Sequence, residues 1–280
     1  MEAPTSEPTP QGSSGRNLRV AIASGVALAA TFIATILLHP LAFLGFIAVL
    51  AIVGLLELDV AFREQGWRPA TPVAVSAGLV MLFGTYFSGA SAQSLGLVLL
   101  VVGALAWMLL DGSPHGVIAS FGVTLLMALW VPFLVSFIGL LLVRDDGTWI
   151  ILAVVALSVT NDIGAYAFGS HFGRRKLAPS VSPGKSWEGF AGGMATTLLI
   201  AAGVTGPFVP GLDTATAIGL ATAVVVASTI GDLAESLIKR DLGIKDLGRI
   251  IPGHGGIMDR ADSVIFALPA AHLLLLVLGL

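Results

Sequence analysis

Long apolar stretches separated by short polar connections make up most of this chain. Nine of these stretches are long enough to cross a bilayer, whose hydrocarbon core requires about 20 apolar residues of helix. We predict them as helices near residues 18–38, 41–58, 71–89, 93–110, 117–143, 148–169, 187–206, 214–239 and 261–280. The pattern therefore predicts an all-α, polytopic integral membrane protein with about nine transmembrane helices.

The amino-acid composition supports this prediction. Of 280 residues, 56% are hydrophobic and 11% are charged, and the mean hydropathy of +0.94 is far above that of soluble proteins. The chain contains no cysteine, which excludes disulfides, thiolate catalysis and Cys-ligated metals. The Pro-, Ser- and Thr-rich segment 1–17 cannot bury enough apolar surface to fold, so we expect a disordered cytosolic tail.

Basic residues are distributed unequally between the two sides of the predicted bundle. With the N-terminus in the cytosol, every Lys and Arg except Arg144 falls in a segment that faces the cytosol. This asymmetry is what the positive-inside rule predicts. It places the C-terminus outside and brings the two charged loops, 170–186 and 240–260, together on the cytosolic side.

Charged residues concentrate in and between the last two predicted helices. The eighth helix contains Asp232, Glu235, Ser236 and Lys239. Their spacing of i, i+3, i+4 and i+7 places them on one face of the helix. The ninth begins with Asp259 and Asp262, at i and i+3. Carboxylate oxygens with room for phosphate suit Mg²⁺ rather than zinc or copper. The alternative is a set of interfacial salt bridges, but the repeated carboxylates at these spacings favour a metal ion.

The connection between these helices is rich in glycine and basic residues. Gly243, Gly248, Gly253, Gly255 and Gly256 alternate with Lys245, Arg249 and His254. Free backbone N–H groups and cations together can bind phosphates. A P-loop is excluded, because Gly184-Lys185-Ser186 would require glycine at the position of Pro179. A flexible loop without ligand is the alternative, and the neighbouring acidic residues favour phosphate binding.

Several runs between residues 158 and 263 share the pattern of a known enzyme family. They are Asp162-x-Gly164-Ala165-Tyr166, Ser182-Pro183-x-Lys185-Ser186-Trp187-Glu188-Gly189, Gly231-Asp232-Leu233-x-Glu235-Ser236, Ser236-x-Ile238-Lys239-Arg240, Lys245-Asp246-x-Gly248 and Pro252-x-His254-Gly255-Gly256-Ile257-x-Asp259-Arg260-x-Asp262. This pattern resembles the phosphatidate cytidylyltransferases, also called CDP-diacylglycerol synthases. The chain departs from the family pattern at Ala261 and Ile163, without loss of a charged group.

The resemblance implies a reaction and a set of site residues. CMP would pass from CTP to the phosphate of phosphatidate, releasing pyrophosphate, with Mg²⁺ required and a second metal ion left open. By the same resemblance, the metal ligands are Asp232 and Asp259. The catalytic residues are Asp162, Lys185, Ser236, Lys239, Arg240 and Asp262. The substrate-binding residues are Ser182, Lys245, Asp246, Arg249, His254, Gly255, Gly256 and Arg260.

We therefore divide the chain after its tail into two transmembrane regions. Residues 18–143 form an N-terminal region of about five helices, and residues 144–280 form a catalytic region of about four helices. The expected partners are CTP, phosphatidate and membrane lipids, without nucleic acid. Small residues from Gly189 to Gly193 would permit close helix packing and allow a homodimer. A site between soluble CTP and a lipid should face the cytosol, and we expect a prokaryotic cytoplasmic (inner) membrane.

Three alternatives remain open at this point. A CTP-dependent lipid kinase would release CDP, and a cytidylyltransferase for another lipid phosphate could use a similar site. A secondary transporter is disfavoured, because the chain shows no internal repeat and its charges cluster at one end rather than near the midplane.

Overall fold

The computed structural model describes residues 18–112, 115–248 and 255–280. The expected tail 1–17, together with Arg249 and His254, lies outside the described residues. In chain order the elements are α1 (Leu18–Leu38), α2 (Pro40–Glu64), α3 (Thr71–Ser88), α4 (Ser91–Asp111), α5 (Val117–Ala128), α6 (Phe137–Leu142), α7 (Gly147–Phe172), β1 (Lys176–Ala178), β2 (Ser182–Ser186), α8 (Trp187–Ile200), α9 (Gly206–Phe208), α10 (Thr214–Asp241) and α11 (Met258–Val277).

The helices match the predicted spans closely. Within the described residues, eight helical segments are long and apolar enough to cross a membrane. They are α2, α3, α4, the α5–α6 segment, α7, the α8–α9 segment, α10 and α11. Helix α1 covers the first predicted span, although the apolar part found in it, Ile22–Leu38, is shorter than the others. The polytopic all-α prediction is confirmed, and the exact number of crossings stays a prediction.

The fifth predicted span is interrupted at its proline. Pro132 lacks the N–H that an α-helix needs at an interior position. The chain around it, Leu129–Phe133, forms a π-helical turn, and the helix resumes as α6. A Cβ on Gly78 would lie 2.5 Å from the Pro132 ring, so α3 packs directly against this irregular segment. The proline therefore produces a local change in helix type within this span.

Helices α2, α3, α5 and α7 contribute to an apolar core with fully buried side chains. Phe43, Leu58, Met81, Met127 and Ile150 are among them. In lipid, where tails are as apolar as leucine, such a core is held mainly by van der Waals packing. The core supports the helices that carry the polar residues described below.

Glycines allow α7 and α8 to approach closely. A Cβ on Gly193 would lie 2.6 Å from Asn161 Oδ1, and one on Gly164 would lie 3.0 Å from Thr196 Oγ1. The small-residue face of α8 is therefore used inside the chain, against α7. Gly192 and Gly193 are buried there and cannot offer the same face to a second copy. The homodimer stays a prediction, and the small-residue face of α8 does not support it.

The charged loop 170–186 contains a small antiparallel hairpin that helical periodicity did not predict. In it, Lys176 lies opposite Ser186. Arg240 Nε donates to the Val181 carbonyl at 3.2 Å, and Gln65 Nε2 donates to the Leu242 carbonyl at 3.1 Å. The loops that follow α2, α7 and α10 thus meet at one end of the bundle, as the charge pattern predicted. Which side of the membrane this end faces stays a prediction.

Candidate active site

A cavity of about 390 Å³ opens between the hairpin and helices α7, α8 and α10. Its polar lining comes from separate parts of the sequence: Asn161 and Asp162 on α7, Ser182, Lys185 and Ser186 on β2, and Ser228, Thr229 and Asp232 on α10. Three of the runs that carry the family resemblance therefore meet at one cavity. Four predicted site residues, Asp162, Ser182, Lys185 and Asp232, line it together.

Lys185 and Asp232 form an ion pair across this cavity. Lys185 Nζ lies 2.6 Å from Asp232 Oδ2, and both side chains remain partly exposed, at 25% and 35%. Ser236 lies one turn further along α10, and its hydroxyl donates to Asp232 Oδ1 at a long 3.4 Å. The position of Lys185 is supported by Ser186, which ends β2 and caps α8 by accepting from Gly189 N at 3.1 Å.

Two further carboxylates approach Asp232. Asp162 on α7 and Asp262 on α11 are close enough that their charges interact repulsively with that of Asp232. Gly231 permits this arrangement, because a Cβ there would lie 2.6 Å from the Asp262 carbonyl oxygen. The helices α10 and α11 therefore bring their acidic residues together through a backbone contact that a larger side chain would disrupt.

Lys239 connects two other predicted carboxylates. Its Nζ lies 2.6 Å from Glu235 Oε1 and 2.9 Å from Asp259 Oδ1. Asp259 also accepts from the backbone N–H groups of Leu247 and Gly256, at 3.1 and 3.2 Å. Both carboxylates are almost fully buried, with side-chain exposures of 1% for Glu235 and 9% for Asp259. In the described structure Lys239 is paired with both of these groups, so a direct catalytic contact with a substrate phosphate would require it to change partners.

The other predicted residues lie around this end of the bundle. Arg240 contacts the hairpin through Val181, and Lys245 and Asp246 are exposed in the connection that follows α10. Gly255 adopts a left-handed conformation, with φ of +92°, which favours glycine. Arg260 lines a second, apolar cavity of about 290 Å³ between α1, α2, α7 and α11. The roles of these residues in substrate binding stay predictions, as do those of Arg249 and His254.

One buried carboxylate was missed by the sequence analysis. Glu57 lies in α2 and is only 3% exposed. Its two oxygens accept from Ile257 N and Met258 N, each at 3.1 Å, at the start of α11. The available signal was a single acidic residue inside an otherwise apolar stretch, because a charge within a membrane helix requires a partner. No run of the family pattern includes it.

The donor set at the first cavity fits a hard cation. Lys185 pairs with Asp232 there, and the candidate ligands are the carboxylates of Asp162 and Asp232, that of Asp262 nearby on α11, and the buried amide oxygen of Asn161, which has no hydrogen-bond partner among the described groups. All of these are oxygen ligands, as Mg²⁺ prefers. Among the described residues, however, no three His, Cys, Asp or Glu side chains converge at metal-ligand spacing. A bound Mg²⁺ would therefore complete its coordination with water and substrate oxygens.

Comparison with known proteins shows that this membrane protein, with its acidic, lysine-bearing cavity, is a nucleotidyltransferase. The chain belongs to the cytidylyltransferase family, whose model matches residues 19–278. It is 34% identical over 284 residues to a phosphatidate cytidylyltransferase of Mycobacterium bovis, covering 94% of this chain and 90% of the relative. The enzyme of that name from Mycobacterium leprae is 35% identical over 274 residues, covering 90% and 85%. The one from Haemophilus influenzae is 46% identical over 127 residues, covering 44% of each chain.

Proposed function

We propose that this protein transfers CMP from CTP to phosphatidate, giving CDP-diacylglycerol and pyrophosphate. The observation that carries the proposal is the cavity in which Lys185 meets Asp232, with Asp162 beside them. The names of the relatives and the family pattern at these residues support the choice of substrates. In the reaction, a phosphate oxygen of phosphatidate bonds to the α-phosphorus of CTP. The bond from that phosphorus to the β-phosphate oxygen breaks, and pyrophosphate leaves.

The chemistry of the acceptor reduces what the protein must supply. A phosphomonoester has a second pKa of about 6, so phosphatidate is already mostly ionised at neutral pH. A protein general base is therefore not required. What remains is to align two anions that repel each other and to neutralise the charge on the transferring group. Lys185 can neutralise part of this charge if it exchanges the Asp232 carboxylate for a substrate phosphate oxygen.

A magnesium ion would be held by Asp232 together with Asp162, which lines the same cavity, or with Asp262, which lies near Asp232 on α11. When bound, it would neutralise phosphate oxygens of CTP and assist departure of pyrophosphate. Asp259, the other predicted ligand, accepts from Lys239 and from two backbone N–H groups. It would have to release some of these donors to bind a metal ion. The second metal ion that the resemblance left open stays part of the proposal, and Asp259 would bind it only after such a change of partners.

The lipid acceptor can reach this end of the bundle from the apolar side. The cavity that contains Arg260 is otherwise lined by apolar side chains of α1, α2, α7 and α11, including Phe32, Leu50 and Val264. Asp259 and Asp262 flank Arg260 and Ala261 in sequence. We place the acyl chains of phosphatidate on this side and CTP in the polar cavity. Soluble CTP and the concentration of basic residues support a site facing the cytosol from a bacterial cytoplasmic membrane.

Identification of the leaving group tests the proposal. Purified protein is incubated with CTP, Mg²⁺ and phosphatidate, and the lipid and soluble products are separated. We expect CDP-diacylglycerol and pyrophosphate in equal amounts, and no turnover when phosphatidate is omitted. Release of CDP would instead indicate a lipid kinase. Greater turnover with a different lipid phosphate would change the acceptor, and absence of both products would overturn the proposal.

A further inference from the structure

A carboxylate inside a membrane helix is costly unless the fold provides it with partners. Glu57 occupies such a position in α2, three residues after Gly54 and at the end of a long apolar run. It does not pair with a Lys or Arg side chain in any described ion pair. Its described partners are the backbone N–H groups of Ile257 and Met258, each 3.1 Å from one of its two oxygens. The bond therefore joins residues separated by about two hundred positions in the sequence.

These two N–H groups belong to the beginning of α11. The first N–H groups of a helix have no partner within the helix, and the helix dipole makes this end partially positive. Glu57 therefore caps α11 with a carboxyl group that comes from another helix. Gly54, one turn earlier on α2, lets Met258 pack closely, since a Cβ there would lie 2.9 Å from the Met258 sulfur. Gly54 and Glu57 of α2 therefore both contact the first turn of α11.

The glycines on either side of the loop pack on the same carboxylate. A Cβ on Gly256 would lie 2.8 Å from Glu57 Oε2 and 2.7 Å from Asp259 Oδ2, and one on Gly248 would overlap the Glu57 carboxyl group. Gly256 N donates to Asp259 at 3.2 Å, while Glu57 holds the next two N–H groups. Three consecutive N–H groups are thus divided between Asp259 and Glu57. The orientation of the first turn of α11 depends on both carboxylates.

We propose that Glu57 is a positioning residue for the nucleotidyl-transfer site, because it fixes the first turn of α11, on which Asp259 and Asp262 are carried. This inference rests on the proposed function. Glu57 is not a lining residue of the polar cavity in the described structure, so it acts through α11 rather than on the substrates. It gives the N-terminal helices, which contain none of the charged sequence runs between residues 158 and 263, a defined part in the geometry of the catalytic region.

The test compares Glu57→Gln with a matched control on the same helix. Asp59→Asn also removes a carboxylate near this end of α2, but Asp59 pairs with Arg63 at 2.7 Å and accepts from Thr71, away from α11. Turnover is measured at saturating CTP and phosphatidate while the Mg²⁺ concentration is varied. We expect Glu57→Gln to lower kcat by about 10- to 100-fold and to raise the Mg²⁺ concentration for half-maximal activity, as loss of an outer-shell partner does. Asp59→Asn should leave both values near those of the wild type.

A second variant keeps the carboxylate and disturbs only the contact with α11. Gly54→Ala presses on Met258, whereas Gly45→Ala on the same helix has nothing within 4 Å of its new Cβ. We expect Gly54→Ala to lower kcat in the same direction as Glu57→Gln, and Gly45→Ala to have no effect. This pair decides the question if Glu57→Gln does not fold.

A binding measurement separates this inference from the proposed function. Addition of Mg²⁺ and CTP should raise the thermal unfolding midpoint of the wild type and of Asp59→Asn. In Glu57→Gln this rise should be lost or reduced. If the wild type shows the shift but forms no CDP-diacylglycerol, the proposed function fails while this comparison still decides the role of Glu57. Wild-type kcat, Mg²⁺ dependence and thermal shift in folded Glu57→Gln would overturn the inference.

Discussion

Lys185 on β2 lies 2.6 Å from Asp232 on α10, so an ion pair joins the hairpin to the helix that carries the acidic residues. The two residues are 47 positions apart in the chain, 232 minus 185. The pair lies at a cavity and is partly exposed, so a phosphate can compete with Asp232 for the lysine. This relationship suggests the first experiment.

Lys185→Met should reduce catalysis much more than it reduces stability. The change removes the cation that we place on a substrate phosphate, and loss of one such electrostatic contact costs about 10²–10³-fold in turnover. The matched control is Lys176→Met in the neighbouring strand β1, where the side chain is exposed. The measurement is kcat/KM for CTP, with unfolding midpoints compared in detergent. Equal turnover in the two variants would remove Lys185 from the reaction.

Asp232→Asn and Asp259→Asn should both lose CDP-diacylglycerol formation, by about 100-fold or more if they hold the metal ion. Their stabilities should differ. Asp259 accepts from Lys239 and two backbone N–H groups, so Asp259→Asn should also lower the unfolding midpoint. Asp232→Asn leaves a more exposed lysine unpaired and should be closer to wild type in stability. Turnover near wild type in either variant would exclude that residue as a ligand.

Gly231→Ala should impair the contact between α10 and α11. The new Cβ would lie 2.6 Å from the Asp262 carbonyl oxygen and 2.8 Å from the Phe266 ring, and the backbone atom cannot move without shifting the helix. Overpacking of this kind costs about 1–3 kcal/mol. Gly219→Ala is the matched control on the same interface, because its Cβ would lie 3.6 Å from Leu274, an ordinary contact. We expect a lower unfolding midpoint and lower turnover for Gly231→Ala only.

Lys239→Met should destabilise the protein by leaving Glu235 and Asp259 without their shared cation. Breaking a buried ion pair by removal of one partner costs about 3–5 kcal/mol. If repulsion between the unpaired carboxylates is the cause, the double variant Glu235→Gln/Lys239→Met should recover part of the loss. Unfolding in detergent gives the stability of both single variants and the double variant. Additive effects of the two changes would contradict the shared-cation interpretation.

The membrane fold and most of the candidate site could be predicted from the amino-acid order. An apolar run of about 20 residues spans a bilayer as a helix because lipid offers no partner for its backbone groups. The predicted spans and the observed helices therefore agree closely. Likewise, the spacing of Asp232, Glu235, Ser236 and Lys239 places them on one helical face without any knowledge of the neighbouring helices. The family pattern then indicated which charged residues belong together.

Only the tertiary structure decided which of these residues are partners. Lys239 bridges Glu235 and Asp259, whereas Lys185 takes Asp232, and helical periodicity cannot choose between such pairings because they depend on how separate elements pack. The glycine face of α8 packs on α7 rather than on a second copy for the same reason. Glu57 is the clearest case: its sequence neighbours are apolar, and its partners lie at the start of α11. Local sequence determines helices and their faces, while contacts between distant elements determine the geometry of the site.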